Sequence, residues 1–410
     1  MDEFFDDVRE RYDVLPQFKL HGGQLRALRN SLKDPLEQQT TLMFAGDSIF
    51  WGALLPENPE QNPRDGTLAD PRDNFESPSF ANEFKRYIGR RFFPDAEPVH
   101  SNWSFSRSGQ STTTYTRELV LFPGAAPFLQ PILSGPATSS NVSDPTALRG
   151  RRQDLAIAPG GTGSLAFRFT GTEFAIIYHS VPERSADYEV FVNDASLGVF
   201  STDAEALAHN TRRTHTFDYV RDALVRIEAR YPAGRAGVHL LRLSGIVIRK
   251  TCTIINNSII GIDTFKYAAL NFGKIGPSII SPDLNYVIMQ LGTNDRIAVS
   301  GPTPPNTLEK FRANLQALID KITPHANLVL MNALPAAPVL EAPPTYVFTT
   351  ADVRDVIHET GAAGGFDVID NHSIFDGMDT KDFTSDRLHP NQLGHGMIAA
   401  NMIGAFEVAS

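Results

Sequence analysis

Two textures of hydrophobic patterning alternate along the chain. Leu25, Leu28 and Leu32 recur at helical spacing until Asp34-Pro35 breaks the run, so residues 1–39 read as a helical lead-in. Thr41-Leu42-Met43-Phe44-Ala45 is a short continuous apolar run, the mark of a strand buried on both faces, and it ends in Gly46-Asp47-Ser48. Ser77-Pro78 offers an N-cap and a first-turn proline for a helix through about Arg91, with Phe80, Phe84 and Ile88 on its apolar face. Between strand and helix, residues 55–76 are rich in Pro, Asn and Asp and form a loop long enough to be functional.

From about Thr116 to Lys250 the pattern changes to short β-rich runs between turn residues, at 164–169, 173–178, 188–192, 224–227 and 238–248. Short strands at regular spacing predict a β-sandwich or jelly roll. The α/β pattern then resumes. A strand at 285–291 ends at Gly292-Thr293-Asn294-Asp295, and Asn306 and Glu309 have capping-box spacing before a helix burying Phe311, Leu315, Leu318 and Ile322. A strand at 327–332 follows, then a helix at 350–359 closed by Gly361, a strand at 366–369, and a helix from Asn391 with Leu393, Met397 and Ile398 inward. The whole predicts a doubly wound α/β domain interrupted by a β domain: lead-in 1–39, first part 40–115, insert 116–250, second part 251–410.

A chain of 410 residues exceeds the usual single-domain size, in keeping with that division. Its net charge of −10, with no basic run, excludes a nucleic-acid partner, which requires concentrated Lys and Arg. Cys252 is the single cysteine, so neither an intramolecular disulfide nor an all-cysteine metal site can form. The opening Met1-Asp2-Glu3-Phe4-Phe5-Asp6-Asp7 is acidic where a secretory signal is basic. No apolar stretch approaches the ~20 residues that span a bilayer, so no export signal and no membrane insertion are expected.

The candidate chemistry lies at the ends of the predicted strands, where open α/β sheets bind their ligands. Ester hydrolysis needs a nucleophile, a base, a group that orients the base, and donors for the oxyanion. Ser48 is the candidate nucleophile, His389 the base and Asp386 the orienting carboxylate, the last two within Asp386-Arg387-Leu388-His389. Asn294 offers a side-chain amide, and a glycine offers an unobstructed backbone N–H. Two segments compete for that glycine. Asn257-Ser258-Ile259-Ile260-Gly261 is favoured because it follows an apolar strand and precedes Asn294 by one helix and one strand; Ser104-Phe105-Ser106-Arg107-Ser108-Gly109 is its rival.

With these blocks in this order, the chain resembles the SGNH (GDSL-type) hydrolase family over about residues 40–109 and 253–408. The resemblance implies a flavodoxin-like three-layer α/β/α fold and a serine esterase without cofactor. It makes Ser48 nucleophile and first oxyanion donor, Asn294 a further donor, and Asp386 and His389 the rest of the triad. An SGNH core carrying a β-sandwich resembles carbohydrate esterases, which makes deacetylation of an O-acetylated polysaccharide the leading expectation. An acylated polysaccharide or small ester is then the partner, and an oligomer is compatible with it. The opening through Trp51 also resembles hydrolase domains of bacteriophage tail fibres and tailspikes, which implies a virion-associated enzyme acting on a capsule or O-antigen. Two rivals stand beside this: a lipase, thioesterase or acyltransferase on the same triad, and a non-catalytic glycan-binding adhesin.

Other residues carry less. Asp47 and Asp295 read as structural turn residues. His209 and His215 flank Arg212-Arg213 without further ligands at metal-like spacing and read as surface residues, so no metal is expected. Asp376, Asp379, Asp382 and Asp386 crowd one loop but lack the glycine and glutamate of a calcium loop, and read as solvated carboxylates. His395 reads as packing or facing solvent, and Trp51 as lining the cleft or joining the core.

Overall fold

The computed structural model of the protein describes residues 15–33, 39–55, 72, 77–94, 96, 99–103, 110–122, 128–270, 284–299 and 306–409. Contacts divide the chain into two compact units, residues 1–33, 40–116 and 252–410 in one, and 34–39 with 117–251 in the other.

The elements that build the first unit include β1 (Phe18–Lys19), α1 (Gln24–Lys33), β2 (Thr40–Gly46), α2 (Ser48–Trp51), α3 (Phe80–Phe92), the end, from Cys252, of β3 (His239–Asn256), α4 (Thr264–Ala268), β4 (Tyr286–Gln290), α5 (Leu308–Ile322), β5 (Asn327–Met331), α6 (Thr350–Gly364), β6 (Val368–Ile369) and α7 (Gln392–Val408). The last residues of β3 pair parallel with β2, Cys252 opposite Thr40 through Asn256 opposite Phe44. β2 pairs parallel with β4, β4 with β5, and β5 with β6. Counted by their order in the chain, the parallel strands lie 2-1-3-4-5, the flavodoxin-like doubly wound arrangement. β1 closes one edge antiparallel, with Phe18 opposite Ile369.

Alternation along the strands explains the three layers. Leu42, Phe44, Ile254, Ile288 and Met331 point into a core shared with α1, α3 and α7. Their neighbours Met43, Ala45, Ile255, Val287 and Leu330 point into a second core shared with α5 and α6. A strand with an apolar core on each side must be apolar at every position, which is why β2 reads as a continuous run. Each fully buried Leu, Ile or Phe contributes about 1.5–3 kcal/mol of burial.

Several boundaries differ from the sequence reading, each through local chemistry. The lead-in is not wholly helical, since Phe18 and Lys19 form β1. The N-cap of α3 is Ser79 and not Ser77, its hydroxyl accepting from Asn82 N–H, which leaves Pro78 just outside the helix. Thr307 caps α5 in place of Asn306, whose amide donates instead to the Ile297 carbonyl at 2.7 Å. α6 runs on to Gly364 and stops at Gly365, which takes the left-handed conformation (φ 67°); Gly361 is buried within the helix, where a Cβ would lie 2.3 Å from Val368. Leu393 is 41% exposed on α7, while Met397 and Ile398 are buried. Of the predicted loop 55–76, only Leu55 and Arg72 lie among the described residues.

The second unit is built on two long antiparallel strands, Thr162–Ser180 and Ala208–Arg230. Residues 164–169 and 173–178 read as separate strands in the sequence but form one, bent at Gly171 (φ 145°) opposite register shifts between Thr216 and Ala223. Each half pairs with different neighbours. The first half of Thr162–Ser180 meets Ile132–Ser134 and the second meets His239–Asn256, while the last part of Ala208–Arg230 meets Asp187–Val192. Leu165, Phe167 and Val225 from one side and Ile176, Tyr178 and Leu243 from the other share a single core. The insert is therefore an all-β unit.

Candidate active site

The chain turns out of β2 at Gly46, where a Cβ would lie 2.6 Å from Phe50 Cβ. Only glycine lets α2 start this close to the strand. Asp47 caps the helix, its carboxylate accepting from Ile49 N–H at 2.9 Å, and Ser48 is the first helical residue. The Ser48 N–H is thus among the amides that a helix start leaves without an internal partner. Asn294 follows β4 through Gly292, whose φ of 115° and close approach to Val353 both require glycine. Ser48 and Asn294 therefore stand at the C-terminal ends of β2 and β4, the neighbours on either side of the topological switch point.

His389 and Asp386 come from the loop ahead of α7. Asp386 Oδ1 accepts from the backbone N–H of Leu388 at 3.0 Å and of His389 at 2.7 Å, and Oδ2 lies 2.8 Å from His389 Nδ1. Burial pushes the Asp386 carboxyl up, but the bonds from the His389 ring and backbone outweigh it and bring it down to about 2. An ionised carboxylate only accepts, so Nδ1 carries the proton and Nε2 presents its lone pair. That lone pair faces the Ser48 hydroxyl, 2.8 Å away.

The Asn294 amide donates to the Ile262 carbonyl at 2.9 Å. One of its two N–H groups is fixed by that bond, and the other is left for a ligand. Gly261 lies in the same turn, exposed, with φ 71°. The segment before it continues the pairing with β2, Asn257 N–H donating to Phe44 O at 2.9 Å and Ile259 N–H to Gly46 O at 3.0 Å. The turn is thus tied to the strand that carries Ser48 and to Asn294. The rival Gly109 lies outside the described residues.

Beneath these groups sit two buried carboxylates. Burial pushes Asp47 up, against bonds from Ile49, Thr293 and Gln290. Asp295 accepts from Thr264 N–H and its hydroxyl, and burial pushes it up to about 7, with Asp263 and Asp47 adding to the rise. Arg296, fully buried, donates to the carbonyls of Thr293 and Leu340 at 3.1 and 2.9 Å and pairs with Glu341 at 2.9 Å. It ties the Thr293-Asn294 turn to the loop beyond β5.

The remaining sequence candidates separate. Trp51 is buried, with the Arg72 guanidinium 3.6 Å over its ring. His395 is buried too: its Nδ1 accepts from Phe80 N–H at 3.2 Å, the rings stack, and burial pulls it down to about 3. His215 is not a surface residue. It lies in the core of the β unit, 2.9 Å from the Tyr188 hydroxyl, and burial lowers it to about 4. The adjoining Arg212, Arg213 and Thr214 are polar, which masked the burial in the sequence. His209 is exposed and contacts His179. Asp376, Asp379 and Asp382 are exposed. Among the described residues no group of three or more His, Cys, Asp or Glu side chains is placed to hold a metal ion, and no helix is long and apolar enough to cross a membrane.

Residues 251–397, which include Gly261, Asn294, Asp386 and His389, match the GDSL-like Lipase/Acylhydrolase family. Over those residues the chain is similar to GDSL-type (SGNH) hydrolases. The matched segment begins where the β unit ends, and Ser48 lies ahead of the insert. No curated protein matches by sequence. Among solved structures, a peptidoglycan O-acetylesterase is 12% identical over 94% of this chain and 97% of that one, with a TM-score of 0.41. An acetylxylan esterase from Geobacillus stearothermophilus is 17% identical over 38% of this chain and 72% of that one (TM-score 0.31). A putative acylhydrolase from Bacteroides fragilis is 17% identical over 38% and 74% (TM-score 0.32).

Three residues of the first unit escaped the sequence reading. Gln290 donates to Asp47 at 3.2 Å, and Arg296 and Glu341 form the buried pair. Arg296 directly follows the Gly292-Thr293-Asn294-Asp295 block, but a single arginine after a turn carries no signal of burial.

Proposed function

We propose that the protein is a serine esterase that removes short acyl groups, O-acetyl above all, from a polysaccharide. The observation that carries this reading is the line from Asp386 Oδ2 through the His389 ring to Ser48 Oγ, with both separations 2.8 Å. In the proposed reaction Ser48 Oγ attacks the ester carbonyl while His389 Nε2 takes its proton, and Asp386 holds the imidazole and offsets its charge. The carbonyl oxygen becomes an oxyanion, received by the free N–H of Asn294, the Ser48 N–H and the Gly261 N–H. The C–O bond to the sugar breaks, His389 returns its proton to the departing oxygen, and water activated by the same imidazole releases the acid and Ser48. The polar rim of Ser385, Asp386 and Arg387, all exposed, favours a sugar over a lipid chain beside the reacting ester.

The test is a panel of acetyl, butyryl and long-chain esters with O-acetylated polysaccharides, run on the wild type and on Ser48→Ala, with mass spectrometry for acyl-serine. Short-chain and polysaccharide turnover that depends on Ser48, with the acyl group found on that residue, is expected. A preference for long-chain esters would point to a lipase instead, and no turnover of any ester to a glycan-binding protein.

A further inference from the structure

Arg387 lies between Asp386 and His389, and the reaction above gives its side chain no task. It is exposed, and among the described residues its guanidinium has no hydrogen-bond or ion-pair partner. Asp386 beside it is taken up by His389 and the N–H of Leu388. Its backbone is held left-handed (φ 73°), with its carbonyl accepting from Ala337 N–H at 2.9 Å. Glycine would take that conformation without strain, whereas arginine is strained there and its side chain gains no hydrogen bond or ion pair among the described residues in return. The protein as a whole is anionic, with a net charge of −10, so an unpaired cation beside the reacting groups stands against the overall charge.

We propose that Arg387 is a specificity-determining residue that binds a carboxylate of the substrate, so that the preferred polymers are O-acetylated glycans built from uronic acids. The inference rests on the esterase reading above. The planar guanidinium presents two parallel N–H donors that match a carboxylate, and in forming that pair it leaves the Asp386–His389 bond untouched. Because the contact is the same before and during acyl transfer, it acts through substrate affinity and appears in KM.

Polygalacturonate and its carboxyl-reduced counterpart, each O-acetylated to the same degree, isolate the charge. The wild type is expected to favour the acidic polymer, and Arg387→Gln to cut the acidic-to-neutral ratio of kcat/KM about tenfold, mainly through KM. Arg387→Lys should keep part of the preference, and added salt should erode it. Arg26→Gln, an exposed arginine on α1, should leave the ratio as it is. A wild type without preference for the acidic polymer, or an Arg387→Gln variant with the wild-type ratio, overturns the proposal. A small acetyl ester run alongside reports on the esterase reading by itself. If no ester is turned over, that reading fails, and binding of non-acetylated polygalacturonate to Ser48→Ala and to Ser48→Ala with Arg387→Gln still decides: weaker binding by the double variant supports the arginine contact, and equal binding or none overturns it.

Discussion

His389 Nε2 lies 2.8 Å from Ser48 Oγ, although the two residues are 341 positions apart and the whole β unit intervenes in the chain. The hydroxyl is within proton-transfer distance of a base whose other nitrogen is already engaged. Ser48→Ala is therefore expected to lower turnover of a small acetyl ester by about 10⁴-fold or more, and His389→Ala by a similar factor. Removing one hydroxyl from Ser48 deletes no core packing, so the thermal unfolding temperature of that variant should stay near that of the wild type. Near wild-type turnover in a folded Ser48→Ala protein would remove the central claim.

Asp386 does more than face the imidazole, since its other oxygen holds two backbone N–H groups of the same loop. The loop has independent ties in Ser385 N–H to His389 O at 2.8 Å and Ala337 N–H to Arg387 O at 2.9 Å. Asp386→Ala should thus leave His389 roughly in place but without its charge partner, a loss in kcat on the order of 10²-fold and smaller than that of His389→Ala. Steady-state kinetics of the two variants side by side check the ranking.

The alternation of strand-like and helix-like runs was enough to read the α/β domain and its interruption, because β2 has a core on each face and is apolar throughout. The candidates Ser48, Asn294, Asp386 and His389 were singled out for a different reason: each belongs to a short block at a strand or helix end. Helix starts were misplaced by one or two residues where several capping residues stand together, as at Ser77 and Ser79 or Asn306 and Thr307. The bend at Gly171 was hidden because a glycine between two apolar runs looks the same whether the chain turns back or continues. Burial of His215 and Arg296 depends on partners distant in sequence, Tyr188 and Glu341, which no local pattern exposes.

Asn294 has one amide N–H fixed on Ile262 O, which aims the other before substrate arrives. A donor oriented in advance acts most strongly on charge that appears only in the transition state. Asn294→Ala should accordingly lower kcat by roughly 10²-fold with little change in KM. Asn294→Asp keeps the size but replaces the donor by an acceptor, and should be at least as damaging. A rise in KM at constant kcat would assign Asn294 to ground-state binding instead.

Asp295 links the site to the pH dependence of stability. Burial pushes its carboxyl up to about 7 from an ordinary value of 3.8, with bonds from Thr264 opposing and the charges of Asp263 and Asp47 adding to the rise. Below pH ~4 the group is protonated whether the protein is folded or not. Between about 4 and 7 the folded protein keeps a proton that the unfolded chain has released, so the unfolded state binds fewer protons and stability falls as pH rises. The carboxyl's contribution is therefore present at low pH and lost through the folded value, on the order of 4 kcal/mol in all. Asp295→Asn has no such proton to lose and retains an oxygen that can accept from Thr264. Urea unfolding at pH 4, 6 and 8 should show the variant gaining on the wild type as pH rises, most steeply between pH 4 and 7. Parallel curves for the two proteins across that range would mean that Asp295 is already ionised in the folded state.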